Sequence, residues 1–195
     1  MNRIEVWCSG RNDHGQLGNG TMEDKFTLPE SFPGVELPVI NFEEERKVLD
    51  WCKFSTIIDG ITATACGSMH LMILGKDIPP SHSTKSQKEI GTLFSTGSNN
   101  TGQLGHDNKV GQSEPLRVET IYQLSGDVKS IACGDKHNIA ISNPPGIPAE
   151  TEIWTWGQGW YGRLGHGSER FQLRPKRIAS FKGPFKFLKE FYFLF

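Results

Sequence analysis

The sequence predicts an all-β chain of repeated antiparallel modules, and three observations predict it. First, 195 residues include 22 glycines and 11 prolines, a composition that favours many short elements joined by turns over long helices. Second, one glycine-patterned segment occurs three times, as VWCSGRNDHGQLGNG from Val6, LFSTGSNNTGQLGHD from Leu93 and IWTWGQGWYGRLGHG from Ile153. Third, ITATACGSMHLMIL (61–74) matches VKSIACGDKHNIAI (128–141). In each of these the apolar residues alternate, the chain turns at a glycine, and an apolar run resumes, as two strands with a tight connection require.

Taken in order, each glycine segment opens with an aliphatic and then an aromatic residue: Val6-Trp7, Leu93-Phe94 and Ile153-Trp154. This is a strand signal. Glycines follow at matched positions 10/97/157, 15/102/162 and 18/105/165, with Leu17, Leu104 and Leu164 between the last two. A proline follows the last glycine by 10 or 11 residues (Pro29, Pro115, Pro175) and is expected to initiate a further strand. Adding the strand–turn–strand unit gives four short strands per repeat of about 50–60 residues, the signature of a β-propeller blade. The predicted fold is therefore a partial β-propeller of about three blades of four-stranded antiparallel sheet, the last incomplete. Residues 1–195 are expected to form one repeat domain, with blade-like repeats at 4–74, 91–141 and 151–195.

Two departures from periodicity are expected to be insertions. The first repeat is 19 residues longer than the second between its proline and Gly67, which places an insertion within 33–57. The second is the polar loop KDIPPSHSTKSQKE. The third repeat lacks a Cys-Gly-x-x-His half and ends in FKGPFKFLKEFYFLF, which reads as a truncated blade or, alternatively, as an amphipathic membrane-binding tail.

Two ligand-binding patterns are set aside by the repeat itself. Gly157, Gly159 and Gly162 fit G-x-G-x-x-G, the pyrophosphate cradle at the start of a helix. The middle glycine, however, aligns with Asn12 and Asn99, and Arg163-Leu164-Gly165-His166-Gly167 breaks a helix. Because Asn and Gly both tolerate positive φ, that position is expected to be left-handed. Cys66-x-x-x-His70 and Cys133-x-x-x-His137 have the spacing of a zinc site. They occupy equivalent places in separate repeats, so small core cysteines and turn-packing histidines are expected instead. Cys8 and Cys52 share no repeat position. No catalytic, cofactor-binding or metal-binding residues are assigned, and no cofactor is expected.

These motifs resemble the repeats of the regulator of chromosome condensation family, in the hydrophobic-aromatic-x-x-Gly strand, Gly-x-Asn-x-x-Gly-Gln-Leu-Gly, the Pro-x-x-aliphatic step and Ala-Cys-Gly-x-x-His. The resemblance covers about two and three-quarter repeats and excludes 31–57, 76–91 and the tail. It implies part of a seven-bladed propeller and a role in protein binding. The family's founding member accelerates nucleotide release from the small GTPase Ran on chromatin, and other members are interaction modules.

Function classes narrow further on charge and composition. Twenty-one Lys and Arg against 22 Asp and Glu give −1, which argues against a general nucleic-acid or anionic-membrane binder. The charge is uneven: 30–50 is acidic, whereas 163–190 holds eight bases and two acids. The six histidines form no nucleophile–base–acid group, and no G-x-S-x-G elbow occurs. MNRIEVWCSG has no apolar core of a secretory signal and no stretch is long enough to span a bilayer. The expectation is an intracellular protein, cytoplasmic or nuclear. It would be a non-enzymatic scaffold for a protein partner such as a small GTPase, with no small-molecule substrate. The alternatives are a chromatin or nucleic-acid-associated module and an inactive fragment of a longer propeller.

Overall fold

The computed structural model describes residues 7–8, 10–24, 52–53, 60–77, 90–124, 127–144 and 150–179; for 7–8, 52–53 and 77 it describes the backbone alone. Most of the 33–57 insertion, the acidic run and the Phe-rich tail lie outside the described residues. Ten strands are present among them. Strands β1 (Trp7–Cys8) and β2 (Cys52–Lys53) form an antiparallel pair that sets Cys8 opposite Cys52. These two cysteines share no repeat position, so their pairing across strands is not visible from the repeat.

The remaining eight strands form two four-stranded antiparallel sheets. The first is the meander β3 (Ala63–Cys66), β4 (His70–Asp77), β5 (Ile90–Gly97) and β6 (Gln112–Arg117). The second is β7 (Asp127–Cys133), β8 (His137–Asn143), β9 (Glu152–Gly157) and β10 (Gln172–Arg177). Both match the predicted all-β, four-stranded antiparallel modules.

The sheets are offset from the sequence repeats by two strands. Each takes the strand–turn–strand unit that ends one repeat and the aliphatic-aromatic and proline strands that begin the next. Pairing explains the offset: β4 and β5 stay in register from His70↔Gly97 to Asp77↔Ile90, a long continuous ladder. Between β6 and β7 the chain instead runs through a short helix, α1 (Glu119–Leu124). That helix was not predicted. Six residues are too few to show a 3.6-residue period, and such a helix depends on packing for its stability. Its Ile121 supplies that by entering the core.

Pro115 and Pro175 do not initiate their strands, and Pro29 lies outside the described residues. Pro115 and Pro175 each stand fourth in a six-residue strand on a sheet edge. The pairing of both strands with their neighbours shifts register near the proline. An edge strand with a bulge can omit the N–H that proline lacks.

The core lies between the two sheets. Met72 and Leu74 of β4, Leu93 of β5, Val118, Ile121, Val128, Ala140 and the rings of Trp154 and Trp156 form one buried cluster. Leu71 and Ile73, the alternate residues of β4, are buried on the opposite face with Ile61 and Phe94 against them. A strand covered on both faces needs an unbroken apolar run, and Leu71-Met72-Ile73-Leu74 is that run.

Candidate interaction surface

Three glycine-rich loops, residues 10–20, 97–107 and 157–167, repeat the same main-chain turns. Gly15 N–H donates to Asn12 O, Gly102 to Asn99 O and Gly162 to Gly159 O, at 2.9, 3.0 and 3.2 Å. One turn later Gly18, Gly105 and Gly165 donate to Gly15, Gly102 and Gly162. At Gly102 the backbone is left-handed (φ +81°), and a Cβ would stand 2.7 Å from Leu173 Cα in the following sheet. Residues 160–162 make one 3-10 turn and no α-helix starts there, so the third loop lacks the helix that a pyrophosphate cradle needs.

The expectation of a left-handed residue at 12, 99 and 159 is corrected by the structure. Gly159 has φ −100°, and neither Asn12 nor Asn99 is among the positive-φ residues. The asparagine acts instead through its side chain. Asn99 Oδ1 accepts from Leu104 N–H at 2.9 Å, and its Nδ2 donates to the carbonyls of Asn108 and Val110 at 3.0 and 3.1 Å. Asn12 does the same with Leu17 N–H and Thr21 O, at 2.9 and 3.0 Å. Each amide ties the two arms of its loop together. In the third loop the arms close directly, and a Cβ on Gly159 would lie 2.2 Å from Arg170 O.

The loops bind the modules to one another. Thr96 places its hydroxyl 2.8 Å from Gly15 O, and Trp156, at the equivalent position, donates its indole N–H to Gln103 O at 3.0 Å. Asn138 Nδ2 donates to the same carbonyl at 2.6 Å, and its Oδ1 lies 2.6 Å from His70 Nε2. Since that oxygen can only accept, His70 carries its proton on Nε2. The rings of His70 and His137 sit against the turn glycines of their own repeats, where a Cβ on Gly67 or Gly134 would be 2.1 Å from the imidazole Cε1. This close approach accounts for the Cys-Gly-x-x-His spacing.

The titratable groups inside are held in uncharged forms. Burial lowers the His70 pKa, takes His106 and His137 down to about 4, and pushes the Cys133 thiol far up. Cys133 Sγ donates to Ala65 O at 3.2 Å across the sheets. Among the described residues no group of three His, Cys, Asp or Glu is arranged to hold a metal ion.

Two hydroxyl–imidazole pairs have the distance of a nucleophile and its base: Ser95 Oγ–His106 Nε2 and Thr155 Oγ1–His166 Nε2, both 3.0 Å. In each, the hydroxyl proton already goes to a main-chain carbonyl, Leu104 O at 2.8 Å or Leu164 O at 2.6 Å. Each imidazole must therefore donate, and a donating histidine cannot act as general base toward that oxygen. Ser95 is also fully buried. The pairs are loop braces that the repeat duplicates, and sequence reasoning did not find them.

The third loop differs from the others at its tip. Trp160, Tyr161 and Arg163 stand where the second loop has Asn100, Thr101 and Gln103. Gln103 Oε1 accepts from Thr101 N–H at 2.9 Å, and Gln16 likewise from His14 N–H at 3.0 Å. Arginine has no acceptor to offer. Arg163 Nε donates instead to Trp160 O at 2.9 Å, and Tyr161 turns to φ +59°. A non-glycine residue there costs about 1–2 kcal/mol. Tyr161 is 85% exposed and Trp160 51%. The Phe171 ring lies 5.5 Å from Trp160 at 60°, Lys109 Nζ sits 6.0 Å from the Phe171 centroid, and the Arg163 guanidinium sits 5.7 Å from that of Tyr161. The result is an exposed aromatic and cationic tip on a braced loop.

Stacked antiparallel sheets tied by glycine-rich loops define a partial β-propeller. The model of the regulator of chromosome condensation (RCC1) repeat matches residues 5–74, 91–141 and 151–189, and the chain belongs to that family. The chain is similar to the human E3 ubiquitin-protein ligase HERC2, at 36% identity over 92% of this chain and 3% of that protein. It is similar also to the Arabidopsis thaliana ultraviolet-B receptor UVR8, at 27% identity over 92% of this chain and 31% of that one. The chain thus spans under a third of either relative. The crystal structure of human WBSCR16 shares its fold with a TM-score of 0.59 at 20% identity, over 90% of this chain and 35% of that one. Among the described residues no helix is long and apolar enough to cross a membrane.

Proposed function

We propose that this chain is a non-catalytic protein-interaction scaffold, residues 1–195 forming one repeat domain with units at 4–74, 91–141 and 151–195. One observation carries the reading. The buried polar groups at the loops serve as braces between loop arms and between sheets, while the exposed chemistry of the third loop is aromatic and cationic. Relatives with different printed activities, a ubiquitin ligase and a light receptor, are similar to the same repeats. A shared scaffold accounts for that, and neither activity is carried over to this chain.

The finer reading is that the partner is a small GTPase, whose nucleotide exchange the chain promotes inside the cell, in cytoplasm or nucleus. Exchange needs no covalent chemistry, because a factor that prefers the nucleotide-free GTPase shifts its equilibrium. The test is release of a fluorescent nucleotide from a panel of loaded small GTPases. Acceleration at substoichiometric chain supports the reading, and spontaneous rates across the panel sink the exchange role. A chromatin-associated module is the second reading, favoured by five bases against one acid in residues 160–179. It requires nucleosome retention that falls steeply with salt.

A further inference from the structure

We infer that the tip of the third loop is a docking surface for an acidic segment of a protein partner. Trp160, Tyr161 and Arg163 form it, with Lys109, Arg170 and Phe171 beside them. The inference rests on the scaffold reading above and gives it a place and a chemistry.

The tip is dispensable to the fold. The first two loops make the same turns with polar residues in its place, Asp13, His14 and Gln16 in one and Asn100, Thr101 and Gln103 in the other. The third loop gives up the glutamine brace, sets Tyr161 in a left-handed backbone and leaves two aromatic rings in water. A local cost of this kind that buries neither ring fully points to use by a partner. Large exposed aromatics beside arginine are the residue types that carry binding energy at protein interfaces.

Charge selects the partner's sign. Residues 160–179 hold five bases and one acid in a chain of net charge −1. Arg177 is paired with Glu152 at 2.6 Å, and Arg174 lies 3.8 Å from Asp107. Among the described residues no carboxylate forms an ion pair with Lys109, Arg163 or Arg170. Lys109 and Arg163 instead lie over the rings of Phe171 and Tyr161. Acidic side chains with an apolar anchor complement this arrangement. A nucleic-acid strand fits it less well, because Trp160 is tilted 60° against Phe171 and three cations are few for tracking a phosphate backbone.

The test selects a displayed library of random short peptides on the whole chain, then titrates the synthesised winners by fluorescence anisotropy. Oligo-dT is titrated alongside. Two double variants are compared with wild type: Trp160→Asn with Tyr161→Thr, which installs the residues of the second loop, and Lys109→Glu with Arg170→Glu. Winners should be rich in Asp and Glu around an apolar residue. Each double variant should bind them about tenfold or more weakly. Should the aromatic variant lose its fold, the exposed charge-reversal variant still decides. Winners without an acidic excess, winners bound equally by a folded variant, or oligo-dT bound more tightly than any peptide overturn the inference. A chain that accelerates GTPase nucleotide release but selects no acidic peptides overturns the docking surface and leaves the scaffold reading standing. A chain negative in both assays overturns the docking surface and the exchange role together.

Discussion

Exchanging Asn99 and Gly159, as Asn99→Gly and Gly159→Asn separately, tests whether equivalent loops solve one packing problem in two incompatible ways. Asn99 is 1% exposed and makes three hydrogen bonds to main chain, to Leu104 N–H, Asn108 O and Val110 O. At about 1 kcal/mol net each, their loss costs about 3 kcal/mol, part of it from leaving Leu104 N–H buried and unsatisfied. Glycine adds unfolded-state entropy in the same direction. For a domain of this size the melting temperature should fall by about 6–12 °C. The reverse change fails for a different reason. A Cβ at Gly159 meets Arg170 O at 2.2 Å, so the loop arms must separate before an amide could bridge them. Overpacking of this sort costs about 1–3 kcal/mol. Urea unfolding followed by tryptophan fluorescence measures both. If Gly159→Asn is neutral or stabilising, the two loops are interchangeable and the account of direct closure is wrong.

Four further outcomes are expected. Gly134→Ala should lower the unfolding free energy by about 1–3 kcal/mol, because its Cβ would overlap the buried His137 ring; an unchanged unfolding midpoint counts against the ring-on-glycine contact. Arg163→Gln should stabilise by about 1 kcal/mol by returning an acceptor to Tyr161 N–H, and a loss of stability in the same assay would refute that. His106 and His137 are held near 4, against an ordinary 6.5, so between those values the unfolded chain binds more protons than the folded one. Stability should therefore be full above about pH 6.5 and decline by several kcal/mol in all as pH falls toward 4; a flat profile in chemical denaturation would contradict the burial. Iodoacetamide should alkylate exposed Cys66 well before Cys133, whose thiol burial raises further; peptide mass spectrometry showing the reverse order would mean that β3 and β7 do not pack as described.

The modules were legible because backbone geometry repeats at fixed spacing. The glycines of the three loops and the Cys-Gly-x-x-His turns each answer to a steric demand that few other residues meet. What the repeat could not convey is which strands share a sheet, since pairing across β4 and β5 is non-local information. It also misdirected the reading of Asn12, Asn99 and Gly159, where a shared tolerance of positive φ suggested one cause for two different devices. The Ser95–His106 and Thr155–His166 braces carried a signal in the sequence: a hydroxyl residue two before the first loop glycine, and a histidine eleven residues after it, in two of three copies. The exposed tip was visible as aromatics at turn positions, but its exposure depends on how the arms close, which no spacing reveals.

The two-strand offset between repeat and sheet has a consequence for how such a chain is made and cut. Each sheet is stitched from halves of successive units, so neither sheet can be completed on the ribosome until the first strands of the next unit have emerged. A protease that nicks between Asp77 and Ile90, at the seam of two units, would leave both fragments clasped through the β4–β5 ladder. The seams that look like natural breaks in the text of the chain are places where its pieces are held together by continuous strand ladders.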